Sequence, residues 1–154
     1  MRKLLLTSLL SFLILNHCGY SVINNNANYN ILELTTDGDK KINYYLKNKL
    51  QQNSAKNNDI NLKMEINTKK LKSIKEKNIS NQITKYEIKI ITEVKYSVIS
   101  KNISSNFNIA KSGIYNVSAR HSETLNNEKN LIDLLVDDLS EDILDNLAAE
   151  MNDL

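Results

Sequence analysis

The chain has 154 residues, 41% hydrophobic and 25% charged, enough for one globular domain behind a short leader and too few apolar runs for a transmembrane helix in the processed protein. Its twenty basic and eighteen acidic residues include Arg2 and Lys3 at the extreme N-terminus, so the chain beyond them is neutral and lacks the basic excess of a dedicated nucleic-acid binder. Cys18 is the one cysteine, and His121 the one histidine after it, which excludes an intrachain disulfide, leaves no two histidines for a metal site from Cys18 onward, and leaves no cysteine beyond Cys18 to pair catalytically with His121.

Met1-Arg2-Lys3 followed by Leu4 to Leu15 has the positive start and apolar run of an export signal, too short to span a bilayer. The run ends at Leu15-Asn16-His17-Cys18-Gly19. This stretch resembles the lipobox of bacterial lipoproteins, in which the cysteine is acylated through a thioether. Asn16 and His17 depart from the small residues preferred before that cysteine. Residues 1–17 are therefore expected to be a signal peptide. Residues 18–30 would be a lipidated N-terminus and a flexible, asparagine-rich tether, and 31–154 a single domain. Gly19 in place of aspartate resembles the pattern of lipoproteins sent to the outer membrane.

Within the domain, Tyr29–Thr35 is a short strand candidate, and Thr36-Asp37-Gly38-Asp39 reads as a turn with Thr36 or Asp37 capping a helix. From Lys40 to about Gln52, Ile42, Tyr45, Leu46 and Leu50 form a helical stripe. Ile60, Leu62, Met64 and Ile66 then alternate with polar residues as in a half-buried strand. Lys69, Lys70, Lys72, Lys75 and Lys77 follow in a stretch without clean alternation, expected to be a basic strand end and loop. Thr84 to Ser100 alternates most clearly, with Tyr86, Ile88, Ile90, Val94, Tyr96 and Val98 on one face. Asn106 to Ala119 is a further strand, where Gly113 suggests a bulge or bend. From Ser122 to Met151 the period becomes helical, with Ile132, Val136, Leu139, Ile143 and Leu147 in one stripe and aspartates opposite. The expected fold is an elongated α+β domain in β-α-β-β-β-α order, about four strands with two helices on one face.

Charge is unevenly spread. Lys63 to Lys101 holds ten lysines and four glutamates, whereas His121 to the end holds ten acidic residues and only Lys129. No phosphate-binding glycine loop, nucleophile elbow or zinc-peptidase motif occurs, so neither enzymatic activity nor a cofactor is expected.

The element order, Cys18-Gly19-Tyr20, the strand Thr84–Val98 and the stretch Ile114–Ala119 before an acidic helix together resemble the LPS-assembly lipoprotein family (LptE). The resemblance implies an outer-membrane lipoprotein on the periplasmic side, anchored by lipid. In that family the protein plugs a large β-barrel that inserts lipopolysaccharide into the outer leaflet. It also implies lipopolysaccharide contact through basic residues, for which Lys69, Lys70, Lys72, Lys75 and Lys77 are the candidates, touching either the lipid head or the barrel wall. Two alternatives stay open: a periplasmic lipoprotein scaffold for another envelope partner, and a lipid-carrier module, which would need an apolar cavity. The anchor is directly testable. Mass spectrometry of the mature N-terminus should find an acylated Cys18, and Cys18→Ala should leave the protein in the soluble periplasmic fraction or as an uncleaved precursor; a mature chain starting after Cys18 would exclude the anchor.

Overall fold

The computed structural model describes residues 28–55 and 58–152; the leader, Cys18 and residues 18–27 of the expected tether lie outside them. Six elements follow in the order β1 (Asn30–Gly38), α1 (Lys40–Gln52), β2 (Asn61–Lys77), β3 (Ile83–Val98), β4 (Ile103–Asn116) and α2 (His121–Asn152). The strands form one mixed sheet in the order β1-β2-β3-β4. β1 runs parallel to β2, and β2–β3–β4 is an antiparallel meander. The α+β class, the element order and the two-helix cover agree with the sequence.

One face of the sheet carries almost the whole core. Leu34 of β1, Leu62, Met64 and Ile66 of β2, and Ile88, Ile90, Val94, Tyr96 and Val98 of β3 are buried, all on the side that period-two alternation predicts. α1 adds Ile42, Leu46 and Leu50, and α2 adds Ile132, Leu135, Val136, Leu139, Ile143, Leu144, Leu147 and Met151. α1 lies against β1 and β2, whereas α2 lies against β4 and β3, and the helices meet each other over the middle of the sheet. Lys49 joins Asp137 across that seam at 2.6 Å. Tyr45 is exposed rather than part of the stripe; Asn43 takes the inward position instead. The folded part starts earlier than Ile31, because Tyr29 is buried and Asn30 opens β1. Burial, and then the neighbouring Asp145 carboxylate, push the Tyr29 hydroxyl up to about 12.

A parallel pair needs a crossover, and α1 provides it. The turn into α1 is tightly specified. Gly38 has φ +97° and faces Thr68, whose carbonyl oxygen would stand 1.9 Å from an added Cβ, so only glycine fits. Asp39, not Thr36 or Asp37, is the N-cap, and its carboxylate accepts from the N–H groups of Lys41 and Ile42, each at 3.1 Å. The Asp39 N–H donates to the backbone and side-chain oxygens of Thr68 at 3.2 Å. The buried Asn43 amide donates to the Asp37 carbonyl at 2.8 Å and accepts from the Thr68 hydroxyl at 2.7 Å.

Two expectations about the strands change. β2 continues through all five candidate lysines to Lys77, its pairing with β3 unbroken until Ile74; there is no loop in this stretch. β4 runs from Ile103 to Asn116 in continuous register, so Gly113 forms no bulge. It instead lets α2 come close: a Cβ there would sit 2.5 Å from Leu131 Cδ1.

The two glycines should respond differently to alanine. Gly38→Ala meets backbone and a left-handed φ, and should cost roughly 2–3 kcal/mol. Gly113→Ala meets only the end of a leucine side chain that can rotate, and should cost about 1 kcal/mol or less. Urea denaturation of both variants measures the difference; equal losses would contradict this account of the α1 turn.

Candidate functional site

β2 changes character where its helix cover ends. Gly38 pairs with Thr68, so α1 begins level with Thr68 and nothing in α1 lies above the strand beyond it. Up to that point β2 buries every second residue; from Lys69 to Lys77 every residue is exposed. On β3 the opposing positions stay partly covered as far as Ile83. The distal half of β2 is thus exposed throughout, and Lys70 and Lys72 take the inward positions that Leu62, Met64 and Ile66 hold in the proximal half.

The five candidate lysines do not form one patch. Lys70 turns toward the helices and reaches the α1 cap, Asp39, at 3.4 Å. Lys72 reaches Glu128 of α2 at 2.6 Å, and its ammonium lies over the Tyr86 and Tyr115 rings, 4.4 and 5.3 Å from their centroids. The two rings are cross-strand partners and stack at 5.7 Å. The Tyr115 hydroxyl donates to the same Glu128 oxygen at 2.8 Å. Lys75 pairs with Glu87 at 3.4 Å, and Lys77 donates to Asn81 at 3.0 Å at the hairpin turn. Lys69 has no ion pair among the described residues.

These contacts perturb the ionisable groups in consistent directions. Burial alone would raise the Glu128 carboxyl, but hydrogen bonds from Lys72 and Tyr115 and the lysine charges outweigh it and hold it below its usual range. Asp39 follows the same pattern: burial raises it, and the Ile42 N–H, Lys70 and the Lys41 N–H together bring it down. Lys72 is lowered by burial but raised more by Glu128 and Tyr115, and ends above its ordinary value. Lys70 and Lys72 therefore act as clamps that fasten the helix ends to the sheet. Lys69, Lys75 and Lys77 are left to face outward.

Sequence reading missed two parts of this surface. Lys85 and Lys89 on β3 flank the same hairpin, so that Lys69 to Lys89 holds seven lysines and two glutamates. With Lys70 and Lys72 matched by Asp39 and Glu128, the hairpin still carries an excess of positive charge. Exposed apolar residues also gather at this end: Leu71, Ile74, Ile114, and Ile79, which is fully exposed. Ile79 stands on a rigid turn, where the Asn78 side chain accepts from the Ser80 and Gln82 N–H groups at 3.0 and 2.9 Å. Only the pairing of β3 with β2, a contact between residues distant in the chain, places Lys85 and Lys89 opposite the basic run. It could not be read from β2 alone.

The start of the fold lies at the other end. Asn28 donates to Asn152 near the C-terminal end of α2 at 3.3 Å, and Asn30 pairs with Asn61. The seventeen residues of β2 separate that end from the hairpin turn by ~55 Å at ~3.3 Å per residue. On the uncovered side of the sheet, a shallow concavity of about 510 Å³ is lined mostly by polar residues, among them Glu33, Lys63, Glu65 and Lys95, together with Met64 and Tyr96. It is not the apolar cavity a lipid carrier needs. Among the described residues, no helix is long and apolar enough to cross a membrane.

No family model matches the sequence, and no curated protein matches it. Solved structures do. A protein of Caulobacter crescentus CB15 described as a lipoprotein shares the fold at TM-score 0.56 and 7% identity, over 83% of this chain and 93% of that one. Lipoprotein B from Nitrosomonas europaea matches at TM-score 0.56 and 12% identity, over 81% and 88%. Rare lipoprotein B from Shewanella oneidensis matches at 0.52 and 17%, over 80% and 95%. The chain therefore has a fold found in bacterial lipoproteins.

The clamp at Glu128 should be visible in the acid limb of stability. Because its folded carboxyl lies below the ordinary value of 4.5, its contribution is present above that value and is lost as pH falls through the folded one. Glu128→Gln should cost about 1 kcal/mol at pH 7, discounted for partial exposure, and the gap to the parent should close as pH falls below the usual carboxylate range. A pH-independent gap in urea denaturation would show that shape rather than charge is lost.

Proposed function

We propose that this chain is an outer-membrane lipoprotein, acylated at Cys18, that plugs and supports the barrel inserting lipopolysaccharide into the outer leaflet. The observation that carries this reading is the placement of the start of the fold and the basic, apolar-tipped hairpin at opposite ends of a rod. A body ~55 Å long exceeds the ~40–45 Å of a bilayer with its headgroups. Anchored by lipid at the near end and held in a barrel lumen, it would bring the hairpin to the far leaflet. The fold it shares with lipoprotein B structures supports the same reading.

The role is non-enzymatic and needs no cofactor. The polar uncovered sheet face suits a water-filled lumen. At the hairpin, Lys69, Lys75 and Lys77 would meet the phosphates or acidic sugars of lipopolysaccharide, while Ile79 and Ile74 offer apolar contact to its acyl region. Exposed lysines act over about one Debye length, ~8 Å at physiological salt, so the contact requires the lipid head to come close. Lys70 and Lys72 would serve indirectly, by holding the hairpin rigid.

Pull-down of the tagged, lipidated protein from detergent-solubilised outer membranes should recover a large β-barrel in stoichiometric amount; its absence would favour a scaffold for another envelope partner. Replacing Lys69, Lys75 and Lys77 with glutamine should lower lipopolysaccharide binding and flatten its salt dependence without changing stability. Replacing Lys70 and Lys72 should instead lower stability first. Binding that is unchanged by the first set across a salt series would remove the hairpin from lipid contact.

A further inference from the structure

The two edges of the sheet are not alike. β1, at one edge, has nine residues, a register shift between Ile31 and Glu33, and two carboxylates, Glu33 and Asp37. Shortness, irregularity and charge are the usual defences of an open edge against pairing with another chain. β4, at the other edge, has fourteen residues in unbroken register and no glutamate or aspartate. Its one charged residue, Lys111, is held at 2.6 Å by Asp142 of α2. On the uncovered face its side chains are Ser104, Asn106, Asn108, Ala110, Ser112 and Ile114, none of which repels an incoming strand. Among the described residues no strand pairs with the outer edge of β4.

The surroundings of that edge have a definite sign. Besides Asp142, Asp138 and Glu141 act electrostatically on Lys111, so three carboxylates answer one ammonium along the part of α2 that flanks β4. A strand laid beside β4 would present every second side chain to this acidic flank and the others to the neutral Ser/Asn face.

We propose that the free edge of β4 is a strand-addition site for an extended peptide segment with basic residues at alternate positions. Backbone N–H and C=O groups of Ile103–Asn116 supply the affinity, as in other β-augmentation complexes. Asp138 and Glu141 select basic side chains on the helix-facing side of the added strand. The site uses the outer edge of β4, whose inner edge pairs with β3, and it does not depend on what the hairpin lysines bind. A closed barrel wall has no open strand to offer, so the occupant is an extended segment of a partner rather than the wall itself.

The test uses the full mature chain and three synthetic twelve-residue probes: alternating Lys-Val, the same peptide with N-methyl groups on alternate residues, and alternating Glu-Val. Hydrogen exchange read by NMR should show that Lys-Val protects alternate amides within Ile103–Asn116 and leaves Asn30–Gly38 unchanged. N-methylation should weaken binding at least about tenfold, the loss expected from one or two backbone hydrogen bonds, and Glu-Val should bind more weakly still. Asp138→Asn with Glu141→Gln, both on the helix surface, should reduce Lys-Val affinity several-fold and its salt dependence with it, without altering thermal unfolding. Equal binding of the N-methylated peptide would overturn strand addition. Protection at β1 instead of β4, or none at millimolar peptide, would overturn the site.

Discussion

Among the described residues, two helices are all the cover the sheet has, and each long strand buries one face against them. Everything else in the molecule follows from how far that cover reaches. α2, with thirty-two residues, extends ~48 Å at 1.5 Å per residue and covers β3 and β4 along most of their length. α1 has thirteen residues and protects β2 only as far as Thr68. The strand nevertheless continues for nine more residues, and those must live in water on both faces. Lysine meets this demand well, since its stem covers apolar surface while its charge stays solvated.

The place where α1 begins is therefore the boundary between the covered and the exposed half of β2. Gly38, Asp39, Asn43 and Thr68 fix it through a left-handed glycine, an N-cap and a buried hydrogen-bonded trio. Beyond it, Lys70 and Lys72 reach back to the carboxylates of Asp39 and Glu128. The same residue type thus has two roles within eight positions. Lysines on the helix side clamp, and lysines elsewhere present charge. A mutational scan that treated the basic run as one unit would mix loss of stability with loss of the proposed lipopolysaccharide contact.

Charge separation has a similar origin. The outward side of α2 is acidic because the exposed Asp137, Glu141 and Asp145 and the half-buried Asp138 and Asp142 fill positions left over by its apolar stripe. The basic excess sits where β2 and β3 outrun the helices. An acidic flank along β4 and a basic end at the hairpin suit the two proposed contacts, which are of opposite charge.

Much of the architecture was legible from periodicity alone. Strict alternation in Thr84–Ser100 and the 3.6-residue stripe from Ile132 to Leu147 gave the element order and the buried face, because both periods are set by local backbone geometry. Helix α1 was legible to its ends, although Tyr45 was misplaced on its inner face, since a one-position rotation of the stripe depends on what the helix packs against. The export signal, the acylation of Cys18 and the tether before Asn28 are expectations from the sequence and lie outside the described residues. What only the tertiary structure decided was pairing. That β1 lies parallel beside β2, that Lys69–Lys77 stays in the sheet opposite Lys85 and Lys89, and that Gly113 admits Leu131 rather than bending its strand all depend on contacts between residues far apart in the chain. No local pattern encodes a partner. The division of five similar lysines into clamps and exposed charges was therefore invisible until Asp39 and Glu128 were brought beside two of them.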